Sequence, residues 1–252
     1  MEKNYRFCYQ ENQFFGECVP CTADVFNHAV DDPAVAWKIS TRQAVEQALA
    51  EGAQLDCFTQ HPDFQRFCQR KAREAAFAKL TAEQQLQQWA TALKSSLPCF
   101  IFAVRGFAAV PKADKAGQPV LDASGQQVLF RRRKQEGIEA LSGLFMFDAD
   151  KLTCAPEEIY RRSRYRRFPW LLALAHKTSS GHGLRLVCEA RPELGNIADN
   201  QICLARDLGL LGMKGSTGKP VVDDSCIDAT RISYCPRRED IYFIDEQILF
   251  HN

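Results

Sequence analysis

Three short runs carry side chains suited to handling metal-bound phosphate: Asp148-Ala149-Asp150, Ser180-Gly181-His182 and Asp228. The first follows the apolar run Leu144–Phe147 and reads as the end of a strand. Alternation along a strand puts Asp148 and Asp150 on one face, with Ala149 opposite. Two neighbouring carboxylates repel each other, and a hard divalent cation relieves that repulsion. With Asp228 as a third ligand, the set suits two Mg²⁺ or Mn²⁺ ions bridging a nucleoside triphosphate, activating a 3′-hydroxyl and steadying the leaving pyrophosphate. Ser180 and His182 suit hydrogen bonds to the incoming phosphates, and Arg185 and Arg231 are further phosphate partners. An isolated Asp-x-Asp is more often a solvated turn, so the elements must bring these runs together.

Their order predicts that they do. Leu144–Asp148 reads as a central strand, and Pro156-Glu157-Glu158 as the acidic first turn of a helix running to about Arg167. Trp170–Lys177 and Gly183–Glu189 read as strands joined by the Ser179-Ser180-Gly181 turn. A helix from Pro192 to about Leu210 offers Ile197, Ile202, Leu204, Ala205 and Leu208 for burial, and Thr230–Cys235 reads as a last strand. This is β-α-β-β-α-β, the ferredoxin-like unit. Its first strand lies between the third and fourth, antiparallel to both, so the three runs are expected at one sheet edge. The GMKGSTGKP stretch at 212–220 is no P-loop: its first glycine is out of register, Pro220 replaces Ser or Thr, and a helix precedes it. It reads as a flexible loop at the rim of the site.

Upstream, residues 40–96 read as helical. Ser40 or Thr41 caps a segment closed by Gly52, a second helix starts near Pro62 with Phe64, Phe67, Cys68 and Ala75 inward, and Thr81-x-x-Gln84 forms a capping box for a third. Cys99–Val104 reads as a strand, and 107–134 as a flap with turns at Gly117-Gln118-Pro119 and Ser124-Gly125. The expected division is a mainly helical portion over 1–97 and a catalytic portion over 98–252. Two arginine clusters stand out: Arg131, Arg132 and Arg133 on the flap, and Arg161, Arg162 and Arg164 within RRSRYRR. Each is read either as a contact to template phosphates or as a solvated face.

The runs FMFDAD at 145–150, SSGHGL at 179–184 and IDATRISY at 227–234 resemble the three motifs of the archaeo-eukaryotic primase superfamily. LKSSLPCFIFAVRGF at 93–107 looks especially like the VirE N-terminal-type primase-like domains. The resemblance spans roughly 35–245 and implies an α+β protein with an RRM-like catalytic module. It makes Asp148, Asp150 and Asp228 the metal ligands and Ser180 and His182 the nucleotide-binding residues. Asp223 and Asp224 compete with Asp228 for the third position. The implied activity is template-directed nucleotidyl transfer of the DNA primase-polymerase type, on a single-stranded template, with a helicase as a partner often joined to such domains. One rival is a nucleic-acid-binding module of the same fold without activity. A rolling-circle replication nuclease is the other, and it needs a His-hydrophobe-His motif that this chain lacks.

Composition sets the outer bounds. Over 252 residues, 46% are hydrophobic and 25% charged, which argues against disorder, and a net charge of +1 excludes a uniformly polybasic binder. No apolar run approaches the roughly 18 residues of a membrane span, and MEKNYRFCYQ lacks the apolar core of a signal peptide, so a cytoplasmic protein is expected. The eleven cysteines are odd in number and irregularly spaced. Cys18-x-x-Cys21 has metal-ligand spacing, but Cys57, His61 and Cys68 supply no second close pair, so free core thiols are expected rather than zinc.

Overall fold

The structure is a computed structural model that describes residues 5–14, 16–53, 55–114, 116–164, 168–222 and 227–251. The chain is mixed α+β with antiparallel sheets. It opens with β1 (Cys8–Gln10), β2 (Val19–Pro20), α1 (Ala23–Asp31), α2 (Pro33–Glu51), α3 (Leu55–Thr59), α4 (Pro62–Lys71) and α5 (Ala82–Ser95). Strands β3 (Cys99–Ile101), β4 (Val104–Phe107), β5 (Ala109–Pro111), β6 (Leu129–Arg131), β7 (Ile138–Leu141) and β8 (Leu144–Ala149) follow. Next come α6 (Pro156–Arg162), β9 (Leu172–Lys177), β10 (Leu184–Glu189), α7 (Ile197–Asp207), β11 (Ser233–Tyr234), β12 (Ile241–Ile244) and α8 (Glu246–Phe250).

Local chemistry explains where the helices start and stop. Asp32 ends α1 and caps α2, accepting from the Ala34 amide at 2.8 Å, and Pro33 occupies the first turn. This Asp-Pro pair starts α2 well before the expected Ser40, and Gly52 closes it at φ 64° as expected. Thr81 and Gln84 form the expected capping box on α5. Helix α4 buries Phe64 and Phe67, but Ala75 lies beyond its end and is exposed.

Two four-stranded sheets face one another across a shared core. The first has the order β11-β3-β1-β2 and the second β12-β9-β10-β8. Phe7, Phe100 and Phe102 from the first meet Met146, Leu174 and Val187 from the second, with Phe26 of α1 and Phe250 of α8 packed between. The far face of the second sheet is covered by α6 and α7, around Phe145, Phe147, Leu186, Ile159 and Leu204. A separate cluster, centred on Trp89 and Phe64, joins α2, α4 and α5.

Several expectations need correction. Among the described residues, strand β8 does not lie between β10 and a final core strand: beyond it there is only the bridge Ala149–Val222, and β12 is added outside β9. The predicted strand 230–235 shortens to β11 and joins the other sheet, with Ser233 opposite Phe100 and Tyr234 opposite Cys99. A turn at Asp228, whose carbonyl accepts from the Arg231 amide, keeps Thr230 and Arg231 out of ladder geometry. The proposed boundary at 97/98 runs through a sheet, because β1 pairs with β3 along Cys8–Ile101, Tyr9–Phe100 and Gln10–Cys99. Helix α6 also ends early, at Arg162, where the Ser163 hydroxyl bonds back to the Tyr160 carbonyl; the stretch 165–167 lies outside the described residues. Ile202, expected inside, is exposed on α7.

The flap is a small meander. Asp114 accepts from the Ala116 and Gln118 amides and Asp122 from those of Ser124 and Gln126, so two Asx turns set its bends. The described helices include none long and apolar enough to cross a membrane.

Candidate functional site

One face of the second sheet changes character along its length. On β8 the inward residues run Leu144, Met146, Asp148, and on β10 they run Val187, Arg185; cross-strand register aligns Asp148 with Arg185 and Arg185 with His176 on β9. The apolar end belongs to the shared core. The polar end opens into a cleft of about 680 Å³ lined by Asp148, Asp150, His176, Ser180, His182 and Arg185, among others. Asp150 continues the same alternation past the end of β8.

The row across the strands is a connected relay. Arg185 donates to the Asp148 carboxylate and, from its other terminal nitrogen, to Ser233 Oγ at 3.1 Å. Ser233 Oγ lies 3.3 Å from His176 Nε2, and His176 Nδ1 lies 2.8 Å from the Lys177 carbonyl. A carbonyl can only accept, so the proton sits on Nδ1 and Nε2 accepts from the serine. Burial, reinforced by Arg185, pushes the His176 pKa down to about 3. The unfolded chain therefore binds a proton below about pH 6.5 that the folded chain refuses. Stability is expected to fall as pH falls from about 6.5 towards 3, and His176→Asn is expected to lower that slope by up to one proton. Chemical denaturation of both proteins at several pH values checks this.

Asp150 sits on a tightly tied turn. Its amide donates to the Val221 carbonyl at 2.8 Å, and the Leu152 amide donates to the His182 carbonyl at 3.0 Å. Between them Lys151 takes φ 56°, unusual for a residue with a side chain, and its carbonyl accepts from Ser216 at 3.0 Å. Ser216 lies on the small hairpin over 213–221, closed by a Lys214–Pro220 bridge, so the glycine-rich run forms the rim of the cleft as a hairpin and not a P-loop. Gly183 is required by this crowding. A Cβ there would fall 2.5 Å from Asp150 Oδ1, 2.7 Å from Thr178 Oγ1 and 2.8 Å from the Ala149 carbonyl.

The helical portion contributes groups that carried no sequence signal. Buried Arg42 of α2 bonds Ser179 Oγ at 2.6 Å and pairs with Glu46 at 2.8 Å, clamping the β9–β10 turn. Lys94 of α5 and Gln13 also line the cleft. Arg42 and Lys94 sit on helices with no motif around them and Gln13 in the β1–β2 loop, so only the tertiary fold reveals them.

Several predicted residues are placed elsewhere. Asp228 is exposed and does not line the cleft; its carboxylate caps its own turn, accepting from the Thr230 amide at 2.7 Å and hydroxyl at 3.0 Å. Asp223 and Asp224, the alternatives, lie outside the described residues. Among the described residues, no group of three or more His, Cys, Asp or Glu side chains is arranged to hold a metal. Arg231 does line the cleft. Arg133 is structural, donating to the Thr230 and Gln13 carbonyls at 3.0 and 3.3 Å. Arg131 pairs with Glu17 at 3.1 Å, and Arg132 lies over the Phe130 ring, and both are exposed. Helix α6 covers the face opposite the cleft. There Arg162 bonds the Leu208 carbonyl, Arg164 lies 4.4 Å over Phe243, and Arg161 is exposed. Cys18 and Cys21 enter different cores, on opposite faces of the first sheet, while Cys57 is exposed on α3 and Cys68 half-buried on α4.

No family model, curated protein or solved structure matches this chain.

Proposed function

We propose that the chain is a metal-dependent nucleotidyltransferase of primase-polymerase type, acting on nucleoside triphosphates with a single-stranded template, its catalytic module being the RRM-like unit built on β8, β9 and β10. The observation that carries this reading is one cleft uniting Asp148, Asp150, Ser180, His182 and Arg185 on three adjacent strand ends. The donor set fits a hard cation. Magnesium is commonly held by one or two carboxylates, with substrate phosphates and water completing its shell, so Asp148 and Asp150 suffice without Asp228. A divalent ion bound there would neutralise phosphate charge and promote loss of a proton from an attacking hydroxyl. The chain's own part is positional. Arg185 orients the Asp148 carboxylate, the strapped turn aims Asp150 into the cleft, and the Ser180–His182 turn offers donors to phosphate.

The proposal is tested by incorporation of labelled nucleotide on a primed single-stranded template with Mg²⁺ or Mn²⁺. Incorporation that EDTA abolishes supports it; incorporation unaffected by EDTA overturns it. The second reading, a binding module without activity, draws on the Arg185–Asp148 ion pair and on Asp228 turning away. Binding of strand without incorporation would select that reading.

The template path is narrowed to the flap. Replacing Arg131 and Arg132 together by Gln is expected to flatten the log-affinity against log-salt slope by up to about 1.4, at roughly 0.7 per phosphate neutralised. Replacing Arg161 and Arg164 is expected to leave the slope unchanged, since α6 lies behind the sheet. Anisotropy titrations with a labelled oligonucleotide at several salt concentrations decide both.

A further inference from the structure

Among the described residues lining the cleft, cations outnumber carboxylates. Arg42, Lys94, Lys151, Arg185 and Arg231 line it. Among the described residues, Glu46, Asp148 and Asp150 oppose them. Arg42 is matched by Glu46 and Arg185 by Asp148. Lys94 is different. Among the described residues it makes no ion pair, and its ammonium lies 5.0 Å from the centre of the Tyr234 ring. Burial, followed by the nearby charges of Arg42 and Arg185, lowers its pKa, while Asp150 and Asp148 act weakly the other way.

A half-buried ammonium that shares its cleft with the Arg42 and Arg185 guanidinium groups is stabilised by a bound anion. We propose that Lys94 is the anion-binding residue of the cleft and takes a phosphate of a soluble polyphosphate, the triphosphate of the incoming nucleotide. This rests on the nucleotidyl-transfer reading and adds to it a residue from the helical portion. A free triphosphate is favoured over a strand phosphate for two reasons. The cleft, at about 680 Å³, has the size of a small-molecule site. The exposed arginines suited to a strand lie on the flap, whereas Lys94 lines the same cleft as Asp148 and Asp150. Tyr234 serves as the positioning surface: its ring holds the ammonium in the cleft through a cation–π contact.

The test compares wild type, Lys94→Met and Lys94→Arg, each with Mg²⁺, by calorimetric titration against a nucleoside triphosphate, inorganic tripolyphosphate, the unphosphorylated nucleoside and a single-stranded oligonucleotide. Losing a charge-assisted hydrogen bond to phosphate is expected to weaken triphosphate and tripolyphosphate binding by about ten- to a hundredfold in Lys94→Met. Nucleoside and oligonucleotide binding should be unchanged, Lys94→Arg should bind triphosphate within a few-fold of wild type, and the melting temperatures of all three should agree. Triphosphate affinity equal in wild type and Lys94→Met overturns the proposal and leaves the enzymatic reading standing. A selective loss of oligonucleotide binding overturns it in favour of a strand phosphate. Wild type that binds no triphosphate overturns both readings together.

Discussion

Asp148→Ala is expected to unfold the protein on the order of 10 °C below wild type, whereas Asp150→Ala melts with wild type and, on the nucleotidyl-transfer proposal, loses only incorporation. The two aspartates are two residues apart and on one face, yet their surroundings differ. Asp148 is 3% exposed and Arg185, its partner, 7%. Deleting one member of a buried pair leaves the other charge desolvated, at about 3–5 kcal/mol. For a chain of this size each kcal/mol moves the melting point by roughly 2–4 °C. Arg185 also anchors Ser233 and, through it, His176, so its release would loosen the junction between the two sheets. Asp150 lies past the end of β8 at the cleft mouth, and its removal leaves no cavity. Thermal denaturation of both variants by circular dichroism checks the contrast. Equal melting points would show that the Asp148–Arg185 pair does not carry the junction.

On the nucleotidyl-transfer proposal, Gly183→Ala is expected to lower nucleotide incorporation about a hundredfold, though position 183 has no side chain and offers no chemistry. The added methyl would overlap Asp150 Oδ1, Thr178 Oγ1 and the Ala149 carbonyl together. Ala149 and Asp150 lie on β8 and the turn it feeds, so the relief is for β8 and β10 to part at their ends. A misplacement of about 1 Å in a catalytic group can cost about 10² in rate. Overpacking of this kind also costs about 1–3 kcal/mol of stability. Steady-state incorporation measured well below the melting point separates the two effects. A variant with wild-type turnover would show that Asp150 need not sit where the turn holds it.

Much of the carboxylate half of the cleft was legible in the sequence, because it depends on local pattern. The alternation through FMFDAD, the turn at Ser179-Ser180-Gly181 and the strand after it are short-range features, and each lies where its pattern indicates. Sheet membership was not legible. Whether Ser233–Tyr234 adds to β8 or to β3 depends on which edge lies open after the chain has folded, and nothing near residue 233 encodes that. The flanking cations were hidden for a related reason. Arg42 and Lys94 are isolated basic residues with no motif around them, and only the docking of α2 on the β9–β10 turn and of α5 on α2 makes them part of a cleft. Arginine clusters misled in the opposite direction, since a run such as RRRK says nothing about which member turns inward, and Arg133 does.

The pairing of β1 with β3, and of β3 with β11, has a consequence for how the protein comes into being. One sheet gathers residues 8–10, 99–101 and 233–234, so its ladder closes only after the chain through Tyr234 is available. Contacts so distant in sequence slow folding, because the entropy of closing long loops is lost before the contacts form. During synthesis β1 must wait for β3, and Tyr234, which lies beneath Lys94, arrives last. The cleft is thus completed by the final strand to join its sheet, and a nascent chain halted before residue 233 would hold both aspartates without an assembled pocket around them.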